Sequence, residues 1–148
     1  MVFIRVPVLR LENPDARRIV CILIAPVQRF SIEHLNSIYD APVTEEFEAS
    51  DGAVRLLGVR TQSPAVMEYY GFEDAACFHR VERPLGTLRF RARMGPPQRL
   101  LIKGETVSFG DLADPGEPLE LSLGSMPLGI HLWTHLAAAW RTSATHRR

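Results

Sequence analysis

The sequence predicts an α+β domain: a curved, mainly antiparallel sheet of roughly six to nine strands, able to close toward a barrel, with two short helices and a C-terminal packing helix. Three observations carry this expectation. Short alternating or wholly apolar segments recur along the chain, each bounded by Gly, Pro, Asn or Asp. The connections between them are too short for parallel crossovers, which need about a dozen residues or more. Near the C-terminus, Leu128, Leu132, Trp133, Leu136, Ala139 and Trp140 recur at helical spacing and form one broad apolar stripe.

Taken in order, Val2 to Leu11 alternates as a strand, and Pro7 argues for a sheet edge because proline cannot donate to a ladder. Asn13-Pro14-Asp15 supplies a turn. The continuous apolar run within Arg18 to Ala25 suits a strand covered on both faces, hence the centre of the sheet. A first short helix is expected from Ser31, which can cap it, with Phe30 and Leu35 at staple spacing and Ile32, Leu35, Ile38 and Tyr39 on one face. Pro42 closes it. Val43 to Ser50 and Ala53 to Thr61 flank Asp51-Gly52, a dipeptide that favours the positive φ values of a two-residue hairpin turn. Ser63-Pro64 opens a second short helix, and Gly71 ends it after Tyr69 and Tyr70. Strands follow at Ala75 to Glu82, Gly86 to Arg93 and Arg99 to Lys103, separated by Arg83-Pro84-Leu85 and Gly95-Pro96-Pro97. Thr106 to Phe109 can pair back across Gly104-Glu105, and Leu119 to Leu123 alternates once more. The last helix is expected over Ser125 to Arg141, so that residues 1–141 form one domain and 142–148 a frayed basic tail.

A chain of 148 residues with 46% hydrophobic and 23% charged residues can bury an ordinary core without a disulfide or metal staple. Seventeen basic residues balance seventeen acidic ones, so there is no strong nucleic-acid signal in the overall charge and no field drawing the chain to an anionic membrane. Lys103 is the single lysine beside sixteen arginines, a bias typical of GC-rich, bacterial-like coding, and it is therefore the one residue that could form a Schiff base. The longest apolar run, Ile19 to Val27, is far short of a membrane span. Cys21 and Cys77 lie in apparent strands without CxxC spacing, which is the pattern of two free thiols in a reducing, cytoplasmic compartment, with Cys21 in the core.

Several groups of residues could carry chemistry. Arg89, Arg91 and Arg93 alternate with Leu88, Phe90, Ala92 and Met94, placing three guanidinium groups in a row about 13 Å long. The row could hold a phosphate, a carboxylate or a nucleic-acid backbone, or be a solvated face balanced by neighbouring Glu. Tyr69, Tyr70 and His79 are ligand-pocket candidates. Cys77 and His79 share a strand face. His131 and His135 stand four apart on the last helix, but two ligands do not make a site, and no metal or other cofactor is expected. Asp111, Asp114 and Glu117 read as a solvated loop, and Glu45, Glu46, Glu48 and Asp51 as the wet face and turn of a hairpin. The sequence has no GxxxxGK[ST], GxGxxG or GxSxG, which weakens readings as a nucleotide hydrolase, a dinucleotide oxidoreductase or an α/β-hydrolase.

The stretch Leu57-Gly58-Val59-Arg60-Thr61-Gln62-Ser63-Pro64-Ala65 with Glu68-Tyr69-Tyr70-Gly71-Phe72-Glu73 resembles the late strand-helix-strand of GNAT acyltransferases, and is similar as well to that of glyoxalase/bleomycin-resistance proteins. The first resemblance implies acyl-CoA chemistry with Tyr70 as the acid. Asp51-Gly52 stands where that family carries a Gly-rich pyrophosphate loop. The second implies metal ligands on strands, for which His79 and Glu82 are the comparable residues. Because no set of nucleophile, base and charge stabiliser assembles from the sequence, the leading expectation is a non-enzymatic domain binding a small molecule or a protein partner. It predicts a concave sheet face, or an exposed apolar patch around Trp133 and Trp140 or Tyr69 and Tyr70, with a homodimer as one outcome. A small enzyme of either resembled type is the alternative, and a weak nucleic-acid or anion binder acting through Arg89, Arg91 and Arg93 is the second.

Overall fold

Alternation of apolar and polar residues between tight turns makes strands, and strands dominate the computed structural model, which describes residues 4–73, 78–96 and 98–130. In chain order they are β1 (Arg5–Asn13), β2 (Arg18–Leu23), β3 (Val27–Asn36), β4 (Ala41–Ser50), β5 (Ala53–Thr61), β6 (Phe78–Leu85), β7 (Leu88–Arg91), β8 (Arg99–Ile102), β9 (Glu105–Ser108) and β10 (Pro118–Pro127). Helix α1 (Pro64–Tyr69) follows β5, and a single 3-10 turn (Phe109–Asp111) follows β9. Every pairing is antiparallel. The result is mostly antiparallel sheet with two short helices, consistent with the expected class, and the sheets are not closed into a barrel.

Two turns define the register. At Asp51-Gly52 both residues have positive φ (51° and 73°), the twist-matched geometry of a two-residue hairpin, so β4 and β5 meet as the dipeptide predicts. Lys103-Gly104 does the same between β8 and β9, with φ of 54° and 77°. Ser63 caps α1 by accepting from Val66 N–H, with Pro64 in its first turn.

One sheet has the order β2-β1-β10-β7, the other β6-β5-β4-β3-β8-β9. They share one core. Leu9 and Leu11 of β1 and Leu119 and Leu121 of β10 meet Phe30 and Ile32 of β3, Phe47 and Ala49 of β4, and Leu100 and Ile102 of β8. Phe30 and Phe47 stack at 5.2 Å between ring centroids, and Phe109, 1% exposed, closes the end of this core beside Phe90 at 5.5 Å. On the opposite face of the wider sheet the cross-strand neighbours are ion pairs: Arg29 with Glu48, Arg60 with Glu46, and Arg99 with Glu33. This is how an antiparallel sheet keeps one face wet.

The structure corrects several expectations. Residues 31–36 are strand, not helix: Phe30, Ile32 and the buried Asn36 also fit a period of two, and neighbours on both sides complete the β3 ladder. β1 lies inside its sheet, between β2 and β10. Pro7 is tolerated there because its carbonyl, and so its missing N–H, point toward β2 just past the end of the β1–β2 ladder, where Ile24 N–H donates to Pro7 O at 3.1 Å. β2 is the sheet's edge, not its centre, and is half-covered along Val20 to Leu23, with Ile19 47% exposed. Cys21 is accordingly half-buried rather than in the core, although what burial it has pushes its thiol pKa up. Pro84 belongs to β6, an edge strand where proline costs little, and the break comes at residues 86–87 instead. Ser125 to Pro127 extend β10, and helical backbone begins only at residues 128–130. The rest of the expected last helix, with Trp133, Trp140, His131 and His135, the tail 142–148, and Cys77 lie outside the described residues.

Candidate functional site

The wider sheet is longer than its cover, and that mismatch creates a site. Residues paired across antiparallel strands share a face. Ile32 pairs with Glu45 and His34 with Val43, so the inner face of β4 runs Ala41, Val43, Glu45, Phe47, Ala49. Phe47 and Ala49 lie under the four-stranded sheet. Ala41 and Val43, with Val59 of β5, instead lie under α1, whose Val66 completes a second apolar cluster with Tyr70 and Phe72 at its border. Glu45 falls in the gap between these two packings.

The gap is a cleft of about 480 Å3. Ile32, His34 and Glu45 form its floor, the end of α1 with Tyr69 and Tyr70 one wall, and β7 with Phe90 and the three arginines the other. Tyr70 donates its hydroxyl to Glu45 Oε1 at 2.9 Å. His34 Nε2 lies 3.8 Å from Glu45 Oε2, beyond a hydrogen bond, and both side chains are under one-fifth exposed. Burial, then the Glu45 charge and the hydrogen bond to it, hold the Tyr70 phenol well above its usual pKa, with Arg93 pulling weakly the other way. Tyr70 is therefore a neutral donor at physiological pH. Tyr69 meets it edge to face, with ring centroids 5.7 Å apart and planes at 85°.

Of the residues singled out from sequence, the cleft thus brings together Tyr69, Tyr70, Arg89, Arg91 and Arg93. Each arginine has a present engagement. Arg89 pairs with Glu120 at 3.0 Å on the outer face, Arg91 donates to Gly116 O at 2.9 Å, and Arg93, past the end of β7, reaches Leu35 O of β3 at 3.4 Å. The expected straight row is therefore cut short at Arg91. His79 stands elsewhere, stacked flat on Phe72 at 4.0 Å, and Glu82 pairs with Arg80. Among the described residues, no group of three His, Cys, Asp or Glu is placed to hold a metal ion, and no helix is long and apolar enough to cross a membrane.

Sequence reasoning missed Glu45 and His34. In sequence Glu45 reads with Glu46 and Glu48 as one wet face, yet Glu46 and Glu48 take the opposite side and pair with Arg60 and Arg29 there. The signal was parity: one carboxylate set in an otherwise apolar row of five alternate residues. The acidic loop also differs from a solvated one at one residue. Glu117 accepts from the amide of the fully buried Asn13 at 2.7 Å and from Asp114 N–H at 2.9 Å, and so ties the β1–β2 turn to the β9–β10 connection. A further concavity of about 590 Å3 near Asp40, Arg60 and Gln62 is lined by groups already spent on structure, since Thr61 donates to Pro42 O at 2.7 Å and Arg60 pairs with Glu46.

Comparison of the chain with protein-family models, with curated proteins and with solved structures found no match.

Proposed function

We propose that this protein is a non-enzymatic domain that binds a small polar molecule in the cleft between α1 and β7. The observation that carries the reading is convergence: Glu45 from β4, His34 from β3, Tyr70 from the C-cap of α1 and Arg93 from the β7 extension reach one partly enclosed space of about 480 Å3. That is within the size range of ligand sites, and a few convergent polar groups in apolar walls is their usual composition. Binding is favoured over catalysis by how the groups are used. Tyr70 is committed as a donor and held neutral, and Glu45 and the arginines of the cleft can each fix an opposite charge on a ligand.

The rival readings draw less support. The stretch that resembles acyltransferases and glyoxalases is used here for packing: Val59 fills the second apolar cluster, Tyr70 and Phe72 pack against it, and Gly58 lets β6 approach. A nucleic-acid surface made of Arg89, Arg91 and Arg93 would need all three to face outward together, whereas Arg89 is spent on Glu120 and Arg93 turns toward β3.

A library of small water-soluble fragments, screened by amide correlation NMR on the intact protein, tests the proposal. Hits are expected to move the amides of His34, Glu45, Tyr70 and Arg91 while leaving β9 still, and to be lost in Arg93→Gln. A screen whose hits all map elsewhere, or that yields none, refutes it.

A further inference from the structure

The cleft is lined by fixed charges of both signs, carried on different strands. At the floor, Glu45 presents a carboxylate with one oxygen taken by Tyr70 and the other facing His34 beyond hydrogen-bond range. An ionised carboxylate offers about four lone-pair directions, so the group can accept further donors from a ligand. Its surroundings suit an ammonium: the rings of Tyr70 and Tyr69 line the same cleft, and aromatic rings attract cations. On the facing wall, Arg91 and Arg93 each give a donor to one backbone carbonyl, Gly116 O and Leu35 O. A guanidinium has five N–H donors in a planar fork, which leaves capacity for a carboxylate.

A ligand of a single sign would be attracted by one of these groups and repelled by the other. A molecule carrying both signs satisfies both. The cube root of 480 Å3 is about 8 Å, so the two charges would be separated by a few methylenes, and Ile32 and Phe90 supply apolar wall for that spacer. We infer that the cleft takes a small zwitterion of ω-amino-acid type, its ammonium on Glu45 beside the tyrosines and its carboxylate on Arg91 and Arg93. The inference rests on the cleft being the ligand site.

Isothermal titration of the 148-residue chain with 6-aminohexanoate, hexanoate and hexylamine tests it, because the three share a six-carbon chain and differ only in their charged ends. The zwitterion is expected to bind at least tenfold more tightly than either single-charge analogue. Glu45→Gln should bring its affinity down to that of hexanoate, and Arg93→Gln down to that of hexylamine, with each variant first checked for an unfolding transition. Equal affinity for 6-aminohexanoate and hexanoate would remove the role given to Glu45. If none of the three binds while NMR fragments still map to the cleft, the zwitterion inference fails and the cleft reading survives; if fragments avoid the cleft, both fail. Should Glu45→Gln not fold, the three-ligand comparison on the unsubstituted protein decides alone.

Discussion

Tyr70→Phe and Glu45→Gln, singly and together, form a cycle whose outcome follows from one contact. The phenol donates to a carboxylate at 2.9 Å, and hydrogen bonds to charged groups contribute about 1.5–3 kcal/mol when well shielded. Glu45 keeps 18% of its side chain exposed, so water replaces part of what Tyr70 provides, and the coupling should fall near the lower end, about 1–1.5 kcal/mol. Denaturant unfolding at neutral pH measures it, provided the four proteins share one m-value. A coupling below about 0.3 kcal/mol, within ordinary additivity, would mean the contact does not stabilise the fold. Alkaline titration supplies a second readout. Because the folded-state pKa of Tyr70 lies above its unfolded value, its contribution is full below about pH 10 and is lost as pH rises beyond that. Absorbance at the phenolate band should therefore show Tyr70 ionising above the usual tyrosine range. Burial is the largest cause of its shift, with Glu45 second, so Glu45→Gln should bring Tyr70 down without returning it to the ordinary range. A full return would contradict burial as the main cause.

Two other perturbations follow from the packing. A Cβ added at Gly58 would lie 2.5 Å from the carbonyl oxygen of His79 and 2.6 Å from Phe78 Cε2. The ring can turn away but the β6 backbone cannot, so Gly58→Ala should cost about 2–3 kcal/mol in denaturant unfolding, and Phe78→Leu should restore only part of it; a loss under about 0.5 kcal/mol would mean β6 yields freely. At Glu117 the Asp114 N–H and then the Asn13 amide hold the carboxyl below the usual Glu range. Its contribution is present above that range and lost as pH falls through the lowered folded value. Glu117→Gln should therefore flatten the acid limb of the stability profile, as followed by thermal melts across acid pH, and an unchanged limb would count against the clasp.

How far the fold could be read from the chain depended on whether a local signal had one geometric solution. Asp51-Gly52 and Ser63-Pro64 did, since positive φ at two successive residues or a capped proline start admits few alternatives, and the hairpin and α1 lie where those residues put them. Ser31 to Asn36 did not, because Ile32 and Leu35 suit a helical face while Phe30 and Ile32 suit a strand, and pairing partners far along the chain decided the matter. Strand position was hidden for the same reason. The apolar run in β2 reads as central, but it covers a core from the edge, and Pro7 reads as edge but escapes into the last ladder position of an interior strand. The cleft was half legible: Tyr69, Tyr70 and the arginines were nameable one by one. Glu45 and His34 became functional candidates only once strand parity and the α1 packing placed them in a common gap.

The mismatch between six strands and a four-stranded cover also has a mechanical consequence. Leu56 borders both apolar packings on the wider sheet, and each lip of the groove is tied to that sheet by a polar latch: Tyr70 to Glu45 on the helix side, and Arg93 to the Leu35 carbonyl on the strand side. A guest that takes over either latch exchanges one contact for another without unpacking a hydrophobic surface, so admission need involve only side-chain swings at the groove's two lips.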